Sequence, residues 1–165
     1  MAFSPCDRLQ PWSARADEGA AVTPTEPTAE LDPRLNTGFT KLIGLTITAA
    51  SGDEVRAELD VGPELLQPNG ILHGGVHCTL VESLASIGGA LWLSDDAGHV
   101  VGVSNSTDFL RATKDGTLFA AATPVHRGRS QQLWEVRITD YAERLVAKGQ
   151  VRLQNLRTVE RTPKA

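Results

Sequence analysis

Cysteine and aromatic residues are scarce in this sequence. Only two of the 165 residues are cysteine, Cys6 and Cys78, and 5% are aromatic. One cysteine lies in the proline-rich first segment and the other in an apolar stretch, which is no disulfide framework, so we expect a reducing compartment. The beginning of the chain lacks the apolar core of a signal peptide, and no apolar run approaches the roughly 20 residues that cross a bilayer. We therefore expect a cytoplasmic protein with no membrane partner.

A surplus of positive charge is also missing. Lys and Arg total 16 against 20 Asp and Glu, which makes the formal net charge -4. Non-specific nucleic-acid binding depends on surplus basic residues, so we expect no nucleic-acid partner. A polyanionic ligand would have to be met by a local basic cluster. The hydrophobic fraction of 41% and the length suit one domain with a single core.

The first part of the chain is rich in proline and differs from the rest. A segment of that composition buries too little apolar surface to offset its ordering entropy. Residues 1–35 contain five prolines with Thr, Ala and acidic residues between them: Pro5, Pro11, Pro24, Pro27 and Pro33. We predict a mobile Pro-rich arm over residues 1–35, with a short helix before Gly38. One domain is predicted over residues 36–157, followed by a C-terminal tail over residues 158–165.

The domain begins with a predicted hairpin and a long helix. Apolar and charged residues alternate strictly over residues 55–61, which predicts a half-buried strand paired with residues 45–50. Over residues 74–93, apolar side chains recur at spacings of three and four and predict one long helix. Its apolar stripe comprises Val76, Leu80, Leu84, Ile87 and Leu91. Gly88 and Gly89 in this helix indicate close packing against another backbone.

Four more predicted strands follow the helix, with turn residues between them. They cover residues 99–111, 117–126, 131–141 and 145–155. A hairpin, one long helix and a run of antiparallel strands predict an α+β fold in which a single sheet covers the helix.

The start of the long helix is the first candidate site. The run His73-Gly74-Gly75 stands there, six residues after Gln67. A helix N-terminus has unpaired N–H groups and positive partial charge, which favour a developing anion. Glycine at this point lets a substrate carbonyl approach the backbone closely. The pattern is that of an oxyanion hole.

Glu82 is the second candidate, a carboxylate in the middle of an otherwise apolar helix. In that environment it can serve as nucleophile or general base. Ser86 lies one turn further along the same side of the helix, where it can hydrogen-bond Glu82 or position water.

Helix geometry separates these two candidates. Gly74 and Glu82 are eight residues apart, or about 12 Å along a helix, so one carbonyl group can hardly contact both. Two antiparallel copies of the helix would place Gly74 of one beside Glu82 of the other. We therefore predict a homodimer with active sites shared across a two-fold interface. The glycine-lined face of the helix suits that approach.

The same residues resemble the active-site segment of hotdog-fold acyl-CoA thioesterases. The matching residues are Gln67, His73-Gly74-Gly75, Glu82-Ser83 and Ser86. The nearest groups are the Arthrobacter-type 4-hydroxybenzoyl-CoA, phenylacetate-pathway and dihydroxynaphthoyl-CoA thioesterases. The resemblance covers about residues 38–155. It implies a curved antiparallel sheet wrapped around one long central helix, in dimers that pair into tetramers.

The resemblance also implies a role for each residue of the segment. Gly74 would supply the oxyanion N–H, and Glu82 would attack the thioester or activate water. Gln67 and His73 would orient the thioester and water, with Ser86 in support.

A basic cluster occupies a later turn between two predicted strands. Arginine side chains bind phosphate oxygens with paired donors, and a turn glycine exposes backbone N–H groups. The cluster comprises His126, Arg127, Gly128, Arg129 and Ser130. It resembles the segment that holds the CoA phosphates in this family, which implies an acyl-CoA substrate and no separate cofactor.

The function implied is hydrolysis of an aromatic or medium-chain acyl-CoA to a carboxylic acid and free CoA. Three alternatives stay open: a non-catalytic acyl-CoA sensor, a hydratase of enoyl or hydroxyacyl thioesters, and a carboxylesterase. The histidines and cysteines show no metal-ligand spacing, so we expect no metal. Asp108 could face the acyl pocket or hydrogen-bond at an interface, and His77 is expected to pack rather than react.

Overall fold

The computed structural model of this chain describes residues 31–93 and 98–157. Residues 1–30 of the arm predicted over residues 1–35 lie outside these ranges, as does the tail predicted over residues 158–165. The two α-helices of the described part are α1 (Gly38–Leu42) and α2 (Gly74–Leu93). The strands are β1 (Leu45–Ala50), β2 (Val55–Asp60), β3 (Gly98–Phe109), β4 (Thr117–Arg127), β5 (Gln131–Asp140) and β6 (Leu145–Arg157). Each predicted strand and the long helix are confirmed to within two residues.

The end of the predicted arm lies against the domain. Pro33–Asn36 forms a 3₁₀ turn before α1, and Leu35 packs against the hydrophobic core. The Asn36 side chain pairs with the backbone of Ile47, accepting from its N–H at 2.7 Å and donating to its carbonyl at 3.3 Å. An amide side chain paired in this way acts like a short piece of added strand, so the domain begins a few residues before position 36.

A six-stranded antiparallel sheet curves around α2 in the order β1-β2-β4-β5-β6-β3. Strand β3 follows the helix in the chain but pairs with β6 at the far edge of the sheet. This is the predicted α+β layout, with one sheet covering one long central helix.

The core lies between α2 and the sheet, on a face of the helix wider than the predicted stripe. Leu80 and Leu84 are fully buried, as predicted, together with Val81 and Ala85. Leu91, at the end of the predicted stripe, is instead 38% exposed. Because the sheet curves around the helix, it covers more than a narrow row of side chains.

Gly88 and Gly89 face side chains of this chain's own sheet, which corrects the prediction that they pack closely against another backbone. A Cβ atom at Gly88 would lie 2.6 Å from the ring of Trp134, and one at Gly89 would collide with the side chain of Leu153. The two glycines therefore let α2 approach the bulky side chains of β5 and β6.

Helix α2 is long and apolar enough to cross a membrane by length and composition alone. That finding corrects the expectation that no segment of the chain reaches this length. The same test is passed by core helices of globular proteins, and the residues of α2 that face the sheet are buried in the core.

The edge strand β3 is open on one side. In the described part of the chain β3 pairs with β6 alone. Val101, Val103 and Phe109 on this strand are 39%, 49% and 56% exposed. A long edge strand with exposed apolar side chains is a template for pairing with another strand.

Candidate active site

The loop before α2 is built from backbone hydrogen bonds that fix Gln67 beside the start of the helix. The N–H of Gln67 donates to the carbonyl of Ile71 at 2.8 Å, and the N–H of Gly70 donates back to the carbonyl of Gln67 at 2.8 Å. Gly70 has a φ of 72°, which glycine adopts without strain. The N–H of His73 then donates to the carbonyl of Leu65 at 2.9 Å, which sets the direction in which the helix starts.

His73 caps the helix. Its Nδ1 accepts a hydrogen bond of 2.9 Å from the N–H of Gly75, and its carbonyl accepts one of 2.9 Å from the N–H of Val76. A side chain before the first helical residue commonly satisfies the second or third N–H in this way. In the structure His73 thus holds the first turn of α2, whereas the resemblance gave it a role in orienting substrate.

Gly74 is left with its N–H free. Among the described residues no acceptor lies within hydrogen-bond distance of this N–H. The neighbouring N–H groups of Gly75 and Val76 are both used by His73. The helix start therefore offers one unpaired donor, with the positive end of the helix dipole behind it.

This donor lines a cavity of about 370 Å³. Gln67 and His77 also line it, and Phe109 of β3 stands opposite Gly74, where a Cβ atom at Gly74 would lie 3.1 Å from its ring. The remaining wall is formed by Ile71, Leu72, Leu110, Arg111, Ala112 and Thr113. The cavity is thus lined by apolar side chains together with the polar side chains of Gln67, His77, Arg111 and Thr113.

His77 is buried, as expected, but it also lines the cavity. The residue is 4% exposed, and its ring centre lies 5.8 Å from that of Phe109. Burial lowers the pKa of His77 below its ordinary value of 6.5, which favours the neutral imidazole. Within the described part of the chain its Nδ1 is buried without a hydrogen-bond partner.

Glu82 does not line this cavity. Its carboxylate lies against strand β3. Its Oε1 accepts a 3.4 Å contact from the hydroxyl of Ser86, and its Oε2 accepts a 3.1 Å hydrogen bond from Asn105 Nδ2. A Cβ atom at Gly102 would collide with Oε1, so glycine at that position makes room for the carboxylate. The structure brings Glu82 and Ser86 together as their spacing predicts.

Asn105 and Gly102 are absent from the predicted site. Neither carries a local signal, because a glycine and an asparagine in a strand are compatible with many roles. Their contact with Glu82 joins positions about twenty residues apart on different elements, so only the tertiary fold reveals it.

One chain does not bring the two candidate groups together. The cavity is lined by Gln67 and Gly74 but not by Glu82 or Ser86. We refer to these two groups as candidate half-sites: an oxyanion half-site (Gln67, Gly74 and the cavity) and a carboxylate half-site (Glu82, Ser86 and Asn105). Both adjoin the open edge strand β3, through Phe109 and Asn105 respectively.

Asp108 does not line the cavity that Gly74 lines. It lines a small polar depression with Glu135 and Lys148 on the other face of the sheet. The interfacial hydrogen bond of Asp108 stays a prediction.

The predicted phosphate-binding turn joins β4 to β5, and its arginines differ. His126, Arg129 and Ser130 are exposed. Arg127, however, donates through Nη1 to the carbonyl of Gly52 at 2.7 Å and to Asp53 Oδ1 at 2.8 Å. Its guanidinium thus contacts the β1–β2 turn, while the side chain is 27% exposed.

Asn155 determines which backbone groups this turn exposes. Its Nδ2 donates to the carbonyls of Gly128 and Arg129 at 2.9 and 3.3 Å, and its N–H donates to the carbonyl of Ser130 at 2.8 Å. In trans peptides the N–H points opposite to the carbonyl. The N–H groups that follow these three carbonyls therefore point away from Asn155.

A curved antiparallel sheet wrapped around one long central helix is the hotdog fold. Comparison with known proteins agrees. Residues 69–147 match the thioesterase superfamily. The chain is 52% identical over 120 residues to the Mycobacterium tuberculosis protein named "Putative esterase Rv1847", covering 72% of this chain and 86% of the relative.

Two further relatives support the same assignment. The 1,4-dihydroxy-2-naphthoyl-CoA hydrolase of Listeria monocytogenes is 36% identical, over 66% of this chain and 88% of the relative. A Haemophilus influenzae thioesterase of known crystal structure has 31% sequence identity to this chain. The two structures match with a TM-score of 0.69, over 74% of this chain and 85% of that one. The chain belongs to the thioesterase superfamily, and its reaction is thioester hydrolysis.

Proposed function

We propose that this chain hydrolyses an aromatic or medium-chain acyl-CoA to a carboxylic acid and free CoA. In our proposal the enzyme is a two-fold dimer with two active sites. Each site combines the oxyanion half-site of one subunit with the carboxylate half-site of the other. The observation that carries the shared site is the separation of the half-sites within one chain. In the proposed mechanism hydrolysis needs both the N–H donor and the carboxylate, so each half-site requires a partner.

Strand β3 is the natural contact between the subunits. It has one open edge along its length, and its exposed Val101 and Val103 would be covered by a second copy. Antiparallel pairing of β3 with its copy satisfies both sets of edge groups and continues the sheet from one subunit into the next. Two-fold symmetry then brings each carboxylate half-site toward the other subunit's oxyanion half-site. Association of two such dimers into a tetramer is part of the same proposal.

The chemistry follows from the groups available. The free N–H of Gly74 donates to the thioester carbonyl and stabilises the negative charge that develops on its oxygen. The Glu82 carboxylate either attacks the carbonyl carbon or removes a proton from a water that does so. In both routes the C–S bond breaks, the CoA sulfur leaves and takes up a proton, and water supplies the new carboxyl oxygen.

Recognition of CoA is assigned to the β4–β5 turn. Arg129 and Ser130 are exposed there, and Asn155 directs the backbone N–H groups outward. In a protein with net charge -4, such a turn is a local site for polyanionic phosphates. The printed name of the Listeria relative, a CoA thioester hydrolase with an aromatic acyl group, supports the same substrate class.

The test is thiol release from a panel of aliphatic and aromatic acyl-CoAs, comparing the wild type with Glu82→Gln. Glutamine keeps the size of the side chain but cannot attack or accept a proton, so we expect turnover to fall about a hundredfold or more. Matched p-nitrophenyl esters serve as controls, because a carboxylesterase would hydrolyse them as well as thioesters.

Two outcomes would overturn the proposal. Full activity of Glu82→Gln would remove Glu82 from the mechanism. Saturable CoA binding in calorimetry without turnover of any acyl-CoA would identify an acyl-CoA sensor instead of an enzyme.

A further inference from the structure

Asn105 faces Glu82 because of a bulge in β3. Side chains of a regular strand alternate between its faces, so residues 102 and 105 would point to opposite sides. The pairing of β3 with β6 shifts between Gly102 and Ser104, which inserts Val103 as an extra residue. After this bulge both Gly102 and Asn105 face α2, where each contacts the carboxylate of Glu82. Bulges commonly redirect side chains next to functional sites.

The amide of Asn105 is held on three sides. Its Nδ2 donates to Glu82 Oε2 and to the carbonyl of Cys78, both at 3.1 Å. Its Oδ1 accepts a hydrogen bond of 2.7 Å from the hydroxyl of Thr107. A flipped amide would turn its oxygen toward two acceptors, the Glu82 carboxylate and the Cys78 carbonyl, so the nitrogen remains directed at Glu82 and the oxygen at the Thr107 hydroxyl.

The alternative support for the carboxylate is weaker. The Ser86 hydroxyl lies 3.4 Å from Oε1, near the outer limit for a hydrogen bond between oxygens. The bond from Asn105 to the same carboxylate is shorter, at 3.1 Å, and lies within the ordinary range for an N–H donor. Neither Asn105 nor Thr107 lines the cavity that holds Gly74 and Gln67.

We propose that Asn105 is a positioning residue that orients the Glu82 carboxylate, and that Thr107 holds Asn105 in place. The proposal rests on the catalytic role of Glu82 proposed above. It extends the carboxylate half-site from the helix to the edge strand, so that the direction of the carboxylate depends on the bulge at Val103.

The first test compares Thr107→Val with Thr107→Ser. Valine has nearly the shape of threonine but lacks the hydroxyl, whereas serine keeps it. We expect kcat for the best acyl-CoA to fall three- to tenfold in Thr107→Val, with KM within twofold, and to return to within twofold of wild type in Thr107→Ser. Equal kcat values in the two variants would overturn the role of Thr107.

The second test is Asn105→Ala, which removes the donor to Glu82. We expect kcat to fall by about ten- to a hundredfold, the usual range for losing a hydrogen bond to a charged group, with little change in KM. Thermal unfolding and size-exclusion chromatography check that the variant folds and assembles. If it does not fold, the comparison of Thr107→Val with Thr107→Ser still tests whether kcat depends on how the Asn105 amide is held.

The result separates this inference from the proposed function. Full kcat in Asn105→Ala alongside inactive Glu82→Gln would reject Asn105 as a positioning residue and leave the thioesterase mechanism intact. Full activity in Glu82→Gln would reject the mechanism itself. A rise in KM with unchanged kcat in Asn105→Ala would also overturn the inference, because it would indicate substrate binding instead of orientation of the carboxylate.

Discussion

The guanidinium carbon of Arg127 lies 5.6 Å from the centre of the Trp92 ring, which ties the end of β4 to the last turn of α2. The same guanidinium bonds Gly52 and Asp53 in the turn between β1 and β2. Three separate parts of the chain therefore meet at one side chain. Arg129, two residues further on, is exposed. The two arginines should consequently differ in what their loss affects.

Arg127→Met should lower stability. Methionine keeps the length of the side chain but removes the cation–π contact and the hydrogen bonds. We expect the free energy of unfolding to fall by about 1–2 kcal/mol, measured by urea denaturation, with KM for acyl-CoA nearly unchanged. A KM increase as large as that of Arg129→Ala would return Arg127 to the CoA site predicted from the sequence.

Arg129→Ala should affect CoA binding. Loss of a charge-assisted bond to a phosphate should raise KM about tenfold for an acyl-CoA. The matched control is the same acyl group on pantetheine, which lacks the nucleotide, and its KM should not change. The comparison is made by steady-state kinetics, and equal effects on both substrates would contradict a phosphate contact.

Gly74→Pro should abolish the proposed oxyanion donor while leaving the helix in place. Proline lacks an N–H and is well tolerated at the first position of a helix. We expect kcat to fall about a hundred- to a thousandfold. Gly74→Ala is the control: it adds the same Cβ atom, 3.1 Å from Phe109, but keeps the N–H. Similar losses in both variants would point to crowding against Phe109 instead.

Mixing Glu82→Gln with Gly74→Pro subunits should restore activity, because a heterodimer contains one site with both groups intact. Random exchange of equal amounts makes about half of the dimers mixed, with one working site in two, so about a quarter of wild-type activity is expected. Mass spectrometry of the mixture confirms exchange. Absence of recovery in confirmed heterodimers would refute the shared site.

His77 should make stability depend on pH. Burial lowers its pKa in the folded protein below 6.5, so between the two pKa values the unfolded chain binds a proton that the folded chain does not. Stability is therefore complete above about pH 6.5 and decreases as the pH falls toward the pKa of the folded state.

His77→Phe tests this dependence, because phenylalanine cannot bind a proton and fits beside Phe109. Urea denaturation of both proteins from pH 8 to pH 5 should show that the variant loses less stability on acidification than the wild type. Parallel curves would mean that burial of His77 does not contribute to the pH dependence.

The arrangement of elements was accessible from the sequence, because each element has its own local pattern. The alternation over β2, the three- and four-residue spacing in α2 and the turns between the later strands predicted the elements to within two residues. The candidate residues on one helix, Glu82 and Ser86, were accessible for the same reason: their spacing of four places them side by side.

The predictions that the structure corrects concern side chains whose position depends on how the sheet curves around α2. The sheet wraps further around α2 than a straight stripe predicts, so Gly88 and Gly89 contact Trp134 and Leu153 and are not available to a second helix. Likewise, alternation along β3 gives no warning of the bulge at Val103, which decides that Asp108 faces away from the cavity.

The sequence by itself determined the elements, their order and the chemistry available at the start and middle of α2, since periodicity and helix geometry act over a few residues. Only the tertiary structure decided that Asn105 hydrogen-bonds Glu82 and that Arg127 contacts Asp53 and Trp92. These contacts join positions far apart in the chain, and their geometry depends on how the sheet curves around the helix.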